Sequence, residues 1–400
     1  MNLPSFKKVY EDNDRFLVLN INARDVKCLE LLYNENVINI TGASFQELPE
    51  GSVRNGMILY NDIVVDAIKN TVEKATQNSQ NKTKSVIVGL DGGITTSLTT
   101  TVRMKRPTSE PIQTSEIENM YQRIEEAAII QARNKVLENT GDPDIGISAI
   151  TTSDIYFKVD DQKVGVLEGQ RGQTVEMAVY NAFVPDFHIK SVQNVVKKAG
   201  LNIIAIGSQM YSLVELIKTS STEPEDFVLI NLSEDSTDVG AVFSGGMASS
   251  RSLNIGYLHF LKAIGSKMGL SNKETEAVIK MYKAKKLSES ETNLVKACLR
   301  EVLEIWIDGL KILFEDFPGV KTFAPTVYFS GCGSDIDDIF QALETEQWSK
   351  TIPFKNDPEF KKFSFLNSPE IANITDQNIG DDWTYMASAS VIYKEIIGVI

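Results

Sequence analysis

FLVLNINARDVKCLELLY, residues 16 to 33, and FVLINLSEDSTDVGAVF, residues 227 to 243, follow one plan: an apolar strand, an Asn, a polar turn, an Asp and a second apolar strand. Runs of β-branched and aromatic residues on both sides of a short polar turn predict a β-hairpin in each place. Half the chain separates them. Two half-molecules with one architecture are expected, and chance likeness between two hairpins is the alternative.

Between the hairpins the texture changes. After the polar loop KATQNSQNKTKS come the strand SVIVGLDGG, a Thr/Ser-rich strand ending at Arg106, and a helix in which Ser115 and Glu118 are expected to form a capping box. Ile117, Met120, Tyr121 and Ile124 then recur at helical spacing towards Glu138. Strands IGISAITTSDIYFKV and VEMAVYNAF follow, with turns expected in VDDQKVGVLEGQRGQ between them. Residues 187 to 218 read as helix, buried strand and helix, and KTSSTEPEDF supplies the clearest boundary in the chain. Helices are expected in HFLKAIGSKMG, NKETEAVIKMYKA and a long run from Glu289 to Phe314, before the strand TVYFSGCGS. Alternation of strands and helices favours an α/β fold. The expected division is 1–85, a small inserted α/β unit at 86–186, a return at 187–222, and a second lobe at 223–400.

Composition removes several functional classes. At 400 residues the chain exceeds the size at which one core keeps growing, so two or more packed units are expected. A net charge of -14 without a basic stripe argues against nucleic acid as a partner, because affinity for a duplex comes largely from Lys and Arg at phosphates. Cys28, Cys298 and Cys332 are far apart and odd in number, which fits reduced thiols of a cytosolic protein. His188 and His259 stand alone, too few and too scattered for a zinc site or a Ser-His-Asp triad. The opening MNLPSFKKVYEDNDR has no signal-peptide core, and no stretch approaches the ~20 apolar residues of a membrane span.

The paired hairpins, the inserted unit and the glycine turn after TVYFS together resemble the actin-like ATPases, and among them the bacterial FtsA and PilM branch. The resemblance covers most of the chain and implies a two-lobed actin-like fold, a duplicated ribonuclease-H-like α/β architecture with the small domain inserted in the first lobe. Where the family has Asp-Ile-Gly-Thr/Ser, this chain has Asn20, Ile21, Asn22 and Ala23, followed by VKCLEL with Lys27. LPEGSVRNGMI is similar to the segment leading into the first-lobe helix, with Gly51 and Gly56 as turn residues. The second phosphate motif, Asp-Ile-Gly-Gly-Gly-Thr-Thr-Asp, is matched by Asn231, Leu232, Ser233, Glu234, Asp235, Ser236, Thr237 and Asp238. Ser330, Gly331, Cys332, Gly333 and Ser334 resemble the adenosine motif, and Lys280 falls where the family has the lysine of a Glu-x-x-Lys pair, with Ala277 in the glutamate's place. Gly169 and Gly172 resemble a Gly-x-x-Gly step of FtsA, with Glu168 where a proline is usual, and no PilM-type Pro-Phe segment follows the helix. These details favour FtsA over PilM.

The altered letters carry chemical meaning. Glycines let a phosphate turn approach its ligand, and Asn22 and Ser233 spoil that approach. Asn20 and Asn231 offer neutral amides where magnesium is held by carboxylates, and Glu234 and Asp235 repel phosphates. Hydrolysis should suffer more than binding, because phosphoryl transfer depends on positioned charge. Weak or absent binding of ATP or ADP with magnesium is expected; a contrary reading keeps the function, with Asp25, Asp235 or Asp238 taking over the metal contact. Ordinary ligand-free hairpin turns are the plainer reading, as is a solvated Lys280. The resemblance implies a cytoplasmic, self-associating scaffold recruited to the inner face of the membrane, with an FtsZ-like tubulin homologue as partner. A PilM-like adaptor of an inner-membrane pilus protein is the alternative, and a sugar or acid kinase a third class. The ending ASASVIYKEIIGVI, with one lysine, makes direct membrane binding doubtful.

Overall fold

The computed structural model describes residues 14–398 apart from 55, 221–224, 316, 318–319 and 346. Most of the polar opening segment, and the boundary expected at residue 222, lie outside the described residues. Strands β1 (Arg15–Ile21), β2 (Asp25–Asn34) and β3 (Val37–Glu47) form a meander; a small ribbon of β4 (Val53–Arg54) and β5 (Met57–Ile58) precedes α1 (Asn61–Ala75) and β6 (Ser85–Leu90). Gly51 and Gly56, at φ +82° and +72°, make the tight bends around that ribbon. Next come β7 (Thr96–Lys105), α2 (Thr114–Thr140), β8 (Ile147–Val159), β9 (Gln162–Val164) and β10 (Thr174–Pro185), then α3 (Asp186–Lys198), β11 (Asn202–Ser208) and α4 (Gln209–Ser220). The second half holds β12 (Phe227–Leu232), β13 (Thr237–Phe243), β14 (Gly246–Leu253), α5 (Tyr257–Met268), α6 (Asn272–Lys283), α7 (Glu289–Glu315), β15 (Thr326–Gly331), α8 (Asp337–Thr345), β16 (Glu359–Lys362), β17 (Ile371–Asn373), α9 (Thr384–Ser388) and α10 (Ser390–Ile397).

Two large sheets result. The first runs β11-β6-β1-β2-β3-β17, and the second β16-β15-β12-β13-β14-β7-β10-β8-β9. Each half repeats one arrangement: an antiparallel meander whose first strand pairs in parallel with a later one, β1 with β6 and β12 with β15. The central strands read as unbroken apolar runs because both of their faces are covered. Phe16 and Val18 pack with α4 and α9 on one side of the first sheet, while Leu17 and Leu19 pack on the other side with Val64 and Ile68 of α1.

Three details depart from the expectations. The inserted strands extend the second sheet: β7 meets β14 through the single pair Ser249 and Leu98. Strand β17, from the stretch expected in the second lobe, pairs with β3 of the first sheet. The start of α2 is capped at Gln113 and Glu116, with the Glu116 carboxylate accepting the Gln113 N–H at 3.0 Å, and not at Ser115 and Glu118. The cause is Arg106, whose buried guanidinium grips both oxygens of Glu116 at 2.8 and 2.9 Å and fixes where the helix begins.

Among the described residues no helix is long and apolar enough to cross a membrane. Within α10, Val391, Ile392, Tyr393 and Lys394 are buried, and Tyr393 stacks on Phe16 with ring centroids 4.0 Å apart.

Candidate functional site

The turns of the two hairpins meet in the middle of the molecule. In the first, the Asn22 side chain answers nearly every polar group around it. Its Oδ1 accepts the N–H groups of Arg24 (3.0 Å) and Asp25 (2.9 Å), and its Nδ2 donates to Asn20 Oδ1 (3.1 Å) and Asp25 Oδ1 (3.0 Å). This is the local Asx habit of a short amide side chain. The Tyr385 hydroxyl also donates to Asn20 Oδ1, at 3.1 Å. Ala23 sits at the tip, and Lys27 lies deeper along β2, buried.

The second turn is closed from outside. Ser233 N–H donates to Ser236 O (2.8 Å), while Tyr257 and Leu258, at the start of α5, donate their N–H groups to the carbonyls of Ser233 and Glu234 (both 2.9 Å). Gly256 lets α5 come this close: a Cβ there would lie 2.4 Å from backbone atoms of Glu234, Asp235 and Ser236. Asn231 Nδ2 donates to Ser233 Oγ at 2.9 Å. Thr237 Oγ1 accepts the indole N–H of Trp306 (2.8 Å) and donates to Ile255 O (2.6 Å). The Gly92 N–H and the hydroxyls of Ser252, Ser233 and Ser236 lie around the buried Asp238 carboxylate and favour its charged form against burial.

Ion pairs join the two turns. Arg24 reaches Glu234 at 2.7 Å and Glu276 of α6 at 2.9 Å, with its own neighbour Asp25 at 3.2 Å. Lys27 stands 3.6 Å from Glu234 and 3.2 Å from Asp382, beneath the ring of Trp383. Lys27 is 2% exposed and Glu234 3%, so the pairing is in a poorly screened interior. Burial opposes the charge on Arg24, but Glu234 and Asp25 outweigh it and raise the guanidinium above its ordinary value. Burial works against Lys27 as well; Tyr385, Asp25, Cys332 and Glu234 around it leave it raised. Glu234 is pushed up by burial and pulled back only in part by Arg24 and Lys27. Asp91, just past β6, is raised to about 8 by burial, then by Asp238, Asp235 and Glu234, against a hydrogen bond from Asn20. Asp238 is raised to about 6, chiefly by burial.

At the glycine loop after β15, Gly331 and Gly333 take φ +100° and +79°, and a Cβ on Gly331 would meet Leu232 O at 2.4 Å. Cys332 is buried with its Sγ 3.5 Å from Glu234 Oε1. Ser334 is buried beside them. Helix α6 is tied to this region by Lys283 to Asp335 (2.6 Å) and by Tyr282 to Asp338 (2.7 Å). Lys280 is exposed and stands apart from the cluster, and Glu276, one turn earlier, reaches the cleft in its stead.

The structure thus gathers Asn20, Asn22, Ala23, Lys27, Asn231, Ser233, Ser236, Thr237, Gly331, Cys332, Gly333 and Ser334 around one floor and leaves Lys280 outside. Sequence reasoning missed Arg24, Asp91, Glu276 and Asp382. A signal existed for the first: a lone cation tips one hairpin and Glu234 tips the other. Beside the tips of the two turns opens a cleft of about 610 Å³, lined among others by Ala23, Arg24, Arg54, Asp235, Lys262 and Glu276. A metal-bound triphosphate needs free backbone N–H groups and carboxylates at liberty to hold the ion. Here the N–H groups of Arg24 and Asp25 are spent on the Asn22 side chain and that of Asn22 on Asp25 O, the Asp25 carboxylate is spent on Asn22 and Arg24, and the space between the turns holds an ion-paired guanidinium. The residues present do not fit that group. Among the described residues no cluster of three or more His, Cys, Asp and Glu side chains is placed to hold a metal.

No protein-family model and no curated protein matches the sequence. The fold, in contrast, matches solved structures. The PilM-PilN type IV pilus biogenesis complex superposes with a TM-score of 0.63 at 14% identity, covering 94% of this chain and 97% of that one. The ethanolamine utilization protein EutJ from Carboxydothermus hydrogenoformans gives 0.48 at 9% identity over 93% and 88% of the two chains. MreB5 of Spiroplasma citri bound to ADP gives 0.48 at 12% identity over 96% and 97%. The two-lobed actin-like fold expected from the paired hairpins is the fold of this chain.

Proposed function

We propose that this chain is a non-hydrolysing adaptor on the actin-like fold, which engages a short segment of an inner-membrane protein of a pilus or secretion machine at the cytoplasmic face of the membrane. One observation carries the first part: the N–H groups of Arg24 and Asp25 are answered at 3.0 and 2.9 Å by Asn22 itself. A phosphate entering this turn would have to displace a satisfied intramolecular network and face the buried Glu234. Phosphoryl transfer depends on aligned donors and a charge-neutralising metal, and both have given way to internal pairs. Residual adenine-nucleotide binding is confined to the glycine loop at Gly331 and Gly333. The second part is supported by likeness of fold to a protein solved in complex with PilN, PilM. The ring-organising reading, with a tubulin-like partner and self-association, is the alternative and rests on the Gly169 and Gly172 step, where Gly169 takes φ +76°.

Calorimetric titration with magnesium ATP, with phosphate release followed in parallel, tests the adaptor reading. Weak or absent heat and no turnover are expected. Turnover in the ordinary enzyme range of about 1 to 1,000 s⁻¹ would overturn it. Direct binding measurements with purified candidate segments, one from an inner-membrane pilus protein and one from the tail of a tubulin-like protein, separate the two partner readings.

A further inference from the structure

We propose that the two lobes are locked together by the chain's own ion pairs, with Arg24 as the bolt, so that the angle between them is set without a nucleotide. The proposal rests on the cleft being unable to take a metal triphosphate, but not on the identity of the partner.

The contacts are arranged as a lock. At the base, one apolar core spans both sheets, joining Phe16, Val18 and Leu29 of the first to Phe227, Leu229 and Val242 of the second through α4 and α9. This base acts as a hinge line. At the mouth, the cleft of about 610 Å³ separates the β3–β4 segment from α5 and α6, and the bridge across it there, Lys262 to Glu50 at 3.7 Å, is made by two exposed side chains. Exposed pairs of that kind hold little. Between base and mouth stand pairs anchored on the buried Glu234 and Lys27. Arg24 belongs to the first lobe and is answered from two different elements of the second, the hairpin turn (Glu234) and α6 (Glu276). Lys27 adds a second cation to Glu234 and also holds Asp382, on the stretch that carries the chain back to the first lobe. Separating the lobes would take both cations from the buried Glu234 while Lys27 kept only Asp382, and breaking a buried pair costs far more than an exposed one. A fork-shaped guanidinium held on three sides also fixes direction as well as distance.

The lobe angle can be read as a distance. Spin labels on Lys69→Cys, exposed on α1, and Lys273→Cys, exposed on α6, report across the cleft, and the native Cys28, Cys298 and Cys332 are buried out of reach of the label. In the nucleotide-free full chain a single narrow distance distribution is expected, unmoved by millimolar magnesium ATP. Arg24→Ala should lengthen and broaden it. A broad distribution in the parent protein, a distribution narrowed by ATP, or one indifferent to Arg24→Ala would overturn the proposal. If Arg24→Ala does not fold, Glu276→Gln takes its place, since that carboxylate is partly exposed; a longer second population supports the lock, and an unchanged distribution sinks it. Turnover of ATP would defeat the adaptor reading and the premise of the lock with it, whereas a distance indifferent to Arg24→Ala in a protein without turnover would sink the lock alone, so the two failures are told apart.

Discussion

The two hairpin turns share a strand plan and differ in what closes them. The first is closed by one of its own side chains, Asn22, and needs little from elsewhere. The second is closed by α5, whose first N–H groups reach the carbonyls of Ser233 and Glu234 across a glycine. A duplicated architecture can therefore keep its outline while one copy is anchored locally and the other through tertiary packing. Substitutions that touch only one mode of anchoring should separate them.

The largest effect is expected at the second turn. Gly256→Ala places a methyl group 2.4 Å from backbone atoms of residues 234 to 236, which must move. A loss of about 3 kcal/mol is expected in urea unfolding followed by tryptophan fluorescence. Trp306 should report it directly, being hydrogen-bonded to Thr237 beside that turn. A loss no greater than that of a surface substitution would mean that α5 does not anchor the turn.

Asn22→Ala attacks the first turn. It leaves the Arg24 and Asp25 N–H groups without their acceptor, at a cost of about 1.5 kcal/mol by the same unfolding assay. Equal losses from the Gly256 and Asn22 substitutions would erase the contrast drawn between local and tertiary closure.

Asp91→Asn sharpens the comparison through pH, since Asp91 of the first lobe faces Asp238 of the second hairpin. In the folded chain Asp91 is raised to about 8 from an ordinary 3.8, so the fold binds a proton that the unfolded chain has released. That contribution is fully present below the unfolded value and is lost as pH rises through about 8. Asp238, raised to about 6, acts in the same direction. The parent protein should lose stability between pH 5 and 9, and Asp91→Asn should reduce that loss by about 1 kcal/mol, measured as melting temperature against pH. Parallel profiles for the two proteins would remove Asp91 from the account.

The sequence made the hairpins legible because each is a local object: apolar strands and a polar turn are contiguous, and periodicity reports them. Helices α3, α5, α6 and α7 were legible for the same reason. The start of α2 was misplaced because its cap is decided by Arg106, at the end of a preceding strand, and not by propensity at Ser115. The return of β17 to the first sheet was hidden, since a three-residue parallel strand carries almost no pattern of its own. Within the site, the residue types at Asn20, Asn22 and Ser233 led to the expectation of an altered phosphate turn, on which the proposed function rests. The ion pairs between the turns were not readable, because the Arg24, Glu234 and Glu276 pairing exists only once two distant turns and a helix are brought together. Lys280 shares a helix with Glu276, yet spacing alone did not say which of them enters the cleft.

The first sheet is finished by residues from the far end of the chain: β17 extends its edge at β3, and Tyr393 of α10 stacks on Phe16 of β1. Its consequence lies in biosynthesis. The N-terminal lobe, although translated first, keeps one edge and part of one face uncovered until residues 371 to 397 have emerged from the ribosome. During translation that open edge is a place where the nascent chain can pair wrongly, and a chain cut short after β16 would leave it uncovered.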